Sequence, residues 1–154
     1  MRLCSIASGS SGNCIYTGSS RTHLLVDAGI SAKKVEEGLK ELQVEGKDIQ
    51  GLLITHEHSD HIKGAGILAR RYGLPIYATG GTIRQMKSMK SLGKIDAGLY
   101  HVIQADRPFT IGDVEVTPFG ISHDAAEPVA FRFSCQGKSA AVARDMGVYT
   151  DYIV

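Results

Sequence analysis

"ITHEHSDHIKG", residues 54–64, packs three of the chain's six histidines and two carboxylates into one short window. It follows "GLLIT", a nearly unbroken apolar run of the kind that forms a strand covered on both faces. In an extended backbone residues i and i+2 share a face, so His56 and His58 can converge on one ion at about 2.0–2.1 Å. Glu57 lies between them and points the other way, which argues against a ligand role. Asp60 and His61 fall where the chain turns into the next helix and can reach a second point. A binuclear site with ions about 3.5–4 Å apart suits this spacing. The zincin motif HExxH is excluded, because Asp60 stands where its second histidine would be and the stretch follows a strand rather than lying on a helix.

Outward from this window the chain alternates between strand and helix patterns. "RLCSIA", "CIYTG" and "THLLVDAG" read as strands separated by Gly/Ser turns. "SAKKVEEGLKEL" repeats Val35, Leu39 and Leu42 at helical spacing behind Ser31 as N-cap. "IKGAGILARRYG" predicts a helix stopped by Gly73, "LPIYA" a strand, and "GGTIRQMKSMKSLG" a helix with Ile83, Met86 and Met89 on one stripe. "YHVIQ", "FTIGDVEVTPFGIS", "VAFRFSCQGK" and "SAAVARD" are strand-like again, with a hairpin turn at Gly112-Asp113 whose order suits type II′. The end, "DMGVYTDYIV", predicts a strand-to-helix turn with Thr150 as N-cap, as in a chain cut in mid-element. The fold class is mixed α/β, a single domain over residues 1–154 with antiparallel hairpins at both ends.

Two downstream positions offer further ligands. His123, in "GISHDAAEP", follows an apolar strand and begins a loop. Asp145, in "AAVARDMG", ends another strand, where a carboxylate can bridge two ions. Asp27, ending "LLVD", is placed to orient ligands rather than to bind. His23 and His101 sit in strand patterns without partners and read as structural. "GSSGN", with Ser10, Ser11 and Asn13, resembles an anion-binding turn able to meet a phosphate, though it lacks the Gly-Lys-Ser/Thr end of a P-loop. Arg84, Lys87, Lys90 and Lys94 form a possible basic stripe along a helix, equally readable as the solvated face opposite Ile83 and Met86.

The 154 residues carry a net charge of +1, with 43% hydrophobic and 21% charged residues. Bulk charge therefore does not point to nucleic acid or a membrane. No apolar run approaches the roughly 18–20 residues of a membrane span, and the start holds no signal-peptide core. A cytoplasmic location is expected. Cys4, Cys14 and Cys135 form no CxxC pair and read as reduced, mostly buried residues.

"THEHSDH", with the spaced His123 and Asp145, resembles the HxHxDH motif of the metallo-β-lactamase superfamily. "ASGSSGNC", "LLVDAGIS", "THEHSDHIKG", "GISHDAAEPV" and "AAVARDMGVYTDYI" together resemble one branch of it, the YycJ/WalJ (VicX)-like proteins, along the whole chain. The resemblance implies an αββα sandwich, here its first βα half and the beginning of the second. It also implies a dinuclear hydrolase acting on DNA ends, a phosphodiesterase or exonuclease. By family position His56, His58 and His123 hold one ion, Asp60 and His61 the other, and Asp145 bridges; Asp60 is also the catalytic candidate. The cofactors implied are two divalent ions, zinc foremost, with manganese or iron possible, and coordination would lower the pKa of a shared water toward about 7. The sequence departs from the family in Arg144, which stands where a small hydroxyl residue is usual, and in ending before a further ligand histidine far downstream. Two other readings stand beside this one. The first is an ester, thioester or lactone hydrolase. The second is an incomplete, weakly active metal-binding half whose bare apolar face drives self-association or takes up a complementing C-terminal segment.

Overall fold

The computed structural model describes residues 1–9, 11–121, 125–143 and 147–152. Two sheets face each other. The first has the order β1-β2-β3-β4-β5-β6 and is built from Arg2–Ala7, Cys14–Gly18, His23–Val26, Ile49–Leu53, Ile76–Thr79 and Tyr100–Ile103. β1 to β3 form an antiparallel meander, while β3 to β6 run parallel. Parallel strands need crossovers, and helices supply them: α1 (Ala32–Glu41), α2 (Ser59–Ile62), α3 (Ala65–Tyr72) and α4 (Gly80–Lys87). The second sheet, β11-β10-β9-β8-β7, is antiparallel throughout and uses Phe109–Ile111, Val114–Gly120, Val129–Cys135, Lys138–Ala143 and Gly147–Tyr152.

The helix signals act where the sequence puts them. The Ser31 hydroxyl accepts from the Lys34 amide to start α1, and Gly73 ends α3 in the left-handed conformation. The turn at Gly112-Asp113 has positive φ at Gly112 alone, which excludes type I′. Gln136 and Gly137 both take positive φ, the requirement of a type I′ hairpin between β9 and β10.

Two apolar layers result. On one face of the first sheet Val35 and Leu39 of α1, Leu68 of α3, and Ile83 and Met86 of α4 cover Leu25, Leu52, Ile54 and Ile76. On the other face Leu24, Val26 and Leu53 pack with Val116, Phe131 and Phe133 of the second sheet. Fully burying such side chains stabilises the fold by about 1.5–3 kcal/mol each before chain entropy is set against it.

Four expectations are corrected. The face of β4 predicted to lie bare is covered by the second sheet, and among the described residues only Ile67 and Val102 are large exposed apolar side chains. The chain after Gly147 is a strand, not a helix start: Thr150 pairs with Ala140, because the open edge of β10 offers a full ladder of backbone partners. The long helix expected over 80–93 ends at Lys87, where the Ser88 hydroxyl donates to the Gln85 carbonyl and draws the chain into a tight turn. Arg84, Lys87, Lys90 and Lys94 thus do not share one helical stripe, and Lys87 lies over the Tyr100 ring. The helix expected from residue 62 is split, since the Gly64 amide bonds to the Ala28 carbonyl.

Candidate metal centre

In open α/β sheets, ligands gather beyond the carboxyl ends of parallel strands. Here β3 delivers Asp27 and β4 delivers the 54–61 loop to that edge. β4 ends at Leu53, so His56 and His58 stand on the loop after the strand rather than on it. The two rings nonetheless come together, with centres 4.7 Å apart. His61, on the short α2 that His58 caps, lies 4.0 Å from the His56 ring.

A buried network behind these rings fixes their protons. Asp27 is 4% exposed and has φ +62°, a left-handed conformation that aspartate tolerates. Its Oδ1 accepts from the Thr55 amide at 2.8 Å, and its Oδ2 accepts from the Thr55 hydroxyl at 2.7 Å. Asp27 Oδ2 also lies 2.5 Å from His61 Nδ1, which places a proton on that nitrogen. The Thr55 hydroxyl has one hydrogen, given to Asp27, so toward His56 Nδ1, 2.9 Å away, it acts as acceptor. Both imidazoles thereby carry a proton on Nδ1, so that their neutral form has its lone pair on Nε2. The Asn13 amide nitrogen, 3.2 Å from His61 Nε2, agrees, because it can only donate. A histidine whose outer nitrogen is held by a carboxylate or hydroxyl is the usual form of a metal ligand.

Asp60 Oδ2 is 3.6 Å from His61 Nε2, so these two groups meet at one point, as their spacing suggested. The N-terminal loop is stapled to the same place. The Asn13 side chain donates to the Gly9 and Asp60 carbonyls, the Asn13 amide bonds to the Asp60 carbonyl at 2.7 Å, and Ala28 N–H to the His61 carbonyl at 2.8 Å. Asn13 is therefore turned toward Asp60 and His61, whereas Ser11 is exposed. A methyl group on Gly29 would collide with the Asp60 carbonyl, so only glycine permits this approach. Cys14 lies buried nearby, and burial, with the Asp27 charge second, pushes its thiol up; it stays a neutral, inert thiol.

Among the described residues alone, no three His, Cys, Asp or Glu side chains close on one point tightly enough to hold an ion. His123, Asp145, Arg144 and Ser10 lie outside the described residues. The donor chemistry nevertheless fits a divalent ion: neutral imidazoles of set tautomer beside a carboxylate. His23 and His101 are engaged elsewhere, at Tyr16 (2.6 Å to its hydroxyl) and stacked on Tyr77. Sequence reasoning passed over Thr55 and weighed Glu57 only as a ligand, setting it aside. Thr55 was visible only as the one polar residue ending an apolar run, and Glu57 gave no signal beyond its position.

Comparison with known proteins agrees with this architecture. The family model described as the beta-lactamase superfamily domain matches residues 22–154. The exodeoxyribonuclease WalJ of Streptococcus pneumoniae serotype 2 is 44% identical over 146 residues, covering 95% of this chain and 54% of that protein. The exodeoxyribonuclease YycJ of Bacillus anthracis is 43% identical with the same coverage. The chain thus spans about half the length of the curated relatives it matches. Among solved structures, the Rm3 metallo-beta-lactamase superposes with a TM-score of 0.75 at 18% identity, covering 90% of this chain and 56% of that one. By its family match, and with the fold it shares with that enzyme, the chain belongs to the beta-lactamase superfamily domain family.

Proposed function

We propose that this chain carries the metal-binding segment of a metal-dependent hydrolase that cleaves phosphodiester bonds at DNA ends. The observation that supports the reading is the Asp27–Thr55 network, which puts a proton on Nδ1 of both His56 and His61, so that Nε2 would be the ligating atom. His56 and His58, with His123, would hold one divalent ion; Asp60 and His61 would hold a second, with Asp145 between them. Zinc suits the imidazoles best. When bound, such ions acidify water and polarise a phosphoryl oxygen. The residues of this chain supply the rest: Asp27 keeps the His61 proton on Nδ1, Thr55 does the same for His56, and Asn13 ties the N-terminal loop to Asp60. DNA as substrate is supported by the exodeoxyribonuclease relatives. The three unpaired cysteines, two of them buried, suit a reducing compartment, and we place the protein in the cytoplasm.

The test is incubation of zinc- or manganese-loaded protein with linear and circular DNA of one sequence. Release of nucleotides from the linear form only, abolished by chelator and by the double variant His56→Ala/His58→Ala, is expected. Loaded protein that leaves linear DNA intact, yet opens a thioester or lactone, would refute the DNA assignment.

A further inference from the structure

Glu57 lies between two candidate ligands and has no part in the network above. It is 8% exposed, and burying a carboxylate is costly unless it is well bonded. Its Oε2 accepts from the Ala126 amide at 2.9 Å, while Oε1 has no hydrogen-bond partner among the described residues. Ala126 belongs to the segment that follows His123 in the chain and leads into β9. Other bonds also hold that segment among the described residues, one of them from the Ile121 amide to the Pro128 carbonyl at 3.3 Å. Val129 N–H donates to the Thr55 carbonyl at 2.9 Å, and the Thr79 hydroxyl donates to the Glu127 carbonyl at 2.8 Å. Glu127 Oε1 accepts from the Gly81 amide at 2.8 Å, at the positive end of α4. Gly81 allows that approach, since a methyl there would sit 2.8 Å from Glu127 Cβ.

Two of these anchors, the Thr55 carbonyl and Glu57, thus come from the loop that carries His56 and His58. We propose that Glu57 is a positioning residue, a buried strut that locks segment 125–129 to the histidine loop and so holds His56 and His58 in place for the metal. The inference rests on the metal-site reading. A carboxylate suits the task because a charged acceptor holds an amide about twice as strongly as a neutral one. Nothing apolar at position 57 could hold it at all.

The test compares Glu57→Met, which keeps side-chain length and removes the acceptor, with Glu57→Gln, which keeps an acceptor oxygen. In metal-free protein, hydrogen exchange at Ala126 is expected to speed up about 10- to 100-fold in Glu57→Met. β9 amides should stay protected, which shows that the fold persists, and Glu57→Gln should stay near wild type. Zinc affinity, by chelator competition, is expected to fall about 10- to 100-fold in Glu57→Met and to be largely rescued in Glu57→Gln. Should Glu57→Met not fold, the wild type decides: an Ala126 amide exchanging at the unprotected rate overturns the strut. Unchanged zinc affinity in a folded Glu57→Met, beside a wild type that binds zinc, overturns the inference and spares the metal reading. A wild type that takes up no zinc refutes the metal reading itself, and the role of Glu57 with it.

Discussion

Replacing Asp27 separates what its carboxylate does for the fold from what it does for the metal. Asp27→Ala strips the acceptor from three buried donors: the Thr55 amide, the Thr55 hydroxyl and His61 Nδ1. Each stranded donor costs about 1–3 kcal/mol, and alanine at a φ of +62° adds about 1–2 kcal/mol of backbone strain. After partial relaxation a loss of about 3–5 kcal/mol is expected, as for breaking a buried pair. Asp27→Asn behaves differently. It keeps one acceptor oxygen and tolerates the left-handed backbone, so the loss in metal-free protein should be only about 1–2 kcal/mol. Its amide, however, presents N–H to His61 Nδ1. That pushes the histidine proton to Nε2, the atom needed for the ion. Zinc affinity should then fall about 10- to 100-fold in a protein that remains folded. Urea unfolding without metal measures the first effect and chelator competition the second. An Asp27→Asn variant that unfolds as estimated but binds zinc like the wild type would refute the tautomer argument.

Three further outcomes follow from the packing. Gly29→Ala forces a methyl into the Asp60 carbonyl, so urea unfolding should show a loss of about 1–3 kcal/mol, with weakened zinc binding. Phe133→Ala empties the layer between the sheets, and unfolding should show a loss of about 3–5 kcal/mol if the second sheet packs on the first as described. Asp113 ties the β7–β8 turn to the β2–β3 turn through the Ser19 and Thr22 hydroxyls, which hold its carboxyl below the usual carboxylate range. A depressed folded pKa means that its contribution is present above the unfolded value of about 3.9 and is lost as pH falls through the folded value. Between about pH 5 and pH 3 the wild type should lose more stability than Asp113→Asn, measured as urea midpoints; equal slopes would contradict this.

Local chemistry was legible in the sequence, and distant chemistry was not. The i, i+2 spacing of His56 and His58 brings their rings together even on the loop beyond β4, and Ser31 and Gly73 announce their helix ends for equally local reasons. Asp27 stood out as an orienting group because it ends an apolar strand. What it orients through, Thr55, could not be read, since a hydroxyl at the end of "GLLIT" gains its meaning only from a partner 28 residues away. Asn13 likewise meets Asp60 across 47 positions, a tie between the N-terminal loop and the histidine loop that no local pattern announces. The final strand was misread for the opposite reason. Thr150 carries a strong local capping signal, and pairing with β10, a nonlocal term, overrides it.

The account stands on whether the histidine cluster holds metal, and elemental analysis of protein purified without added metal asks this most directly. It predicts about two equivalents of a divalent ion per chain, falling to background in the His56→Ala/His58→Ala variant. No bound metal in the wild type, or unchanged content in that variant, would contradict it.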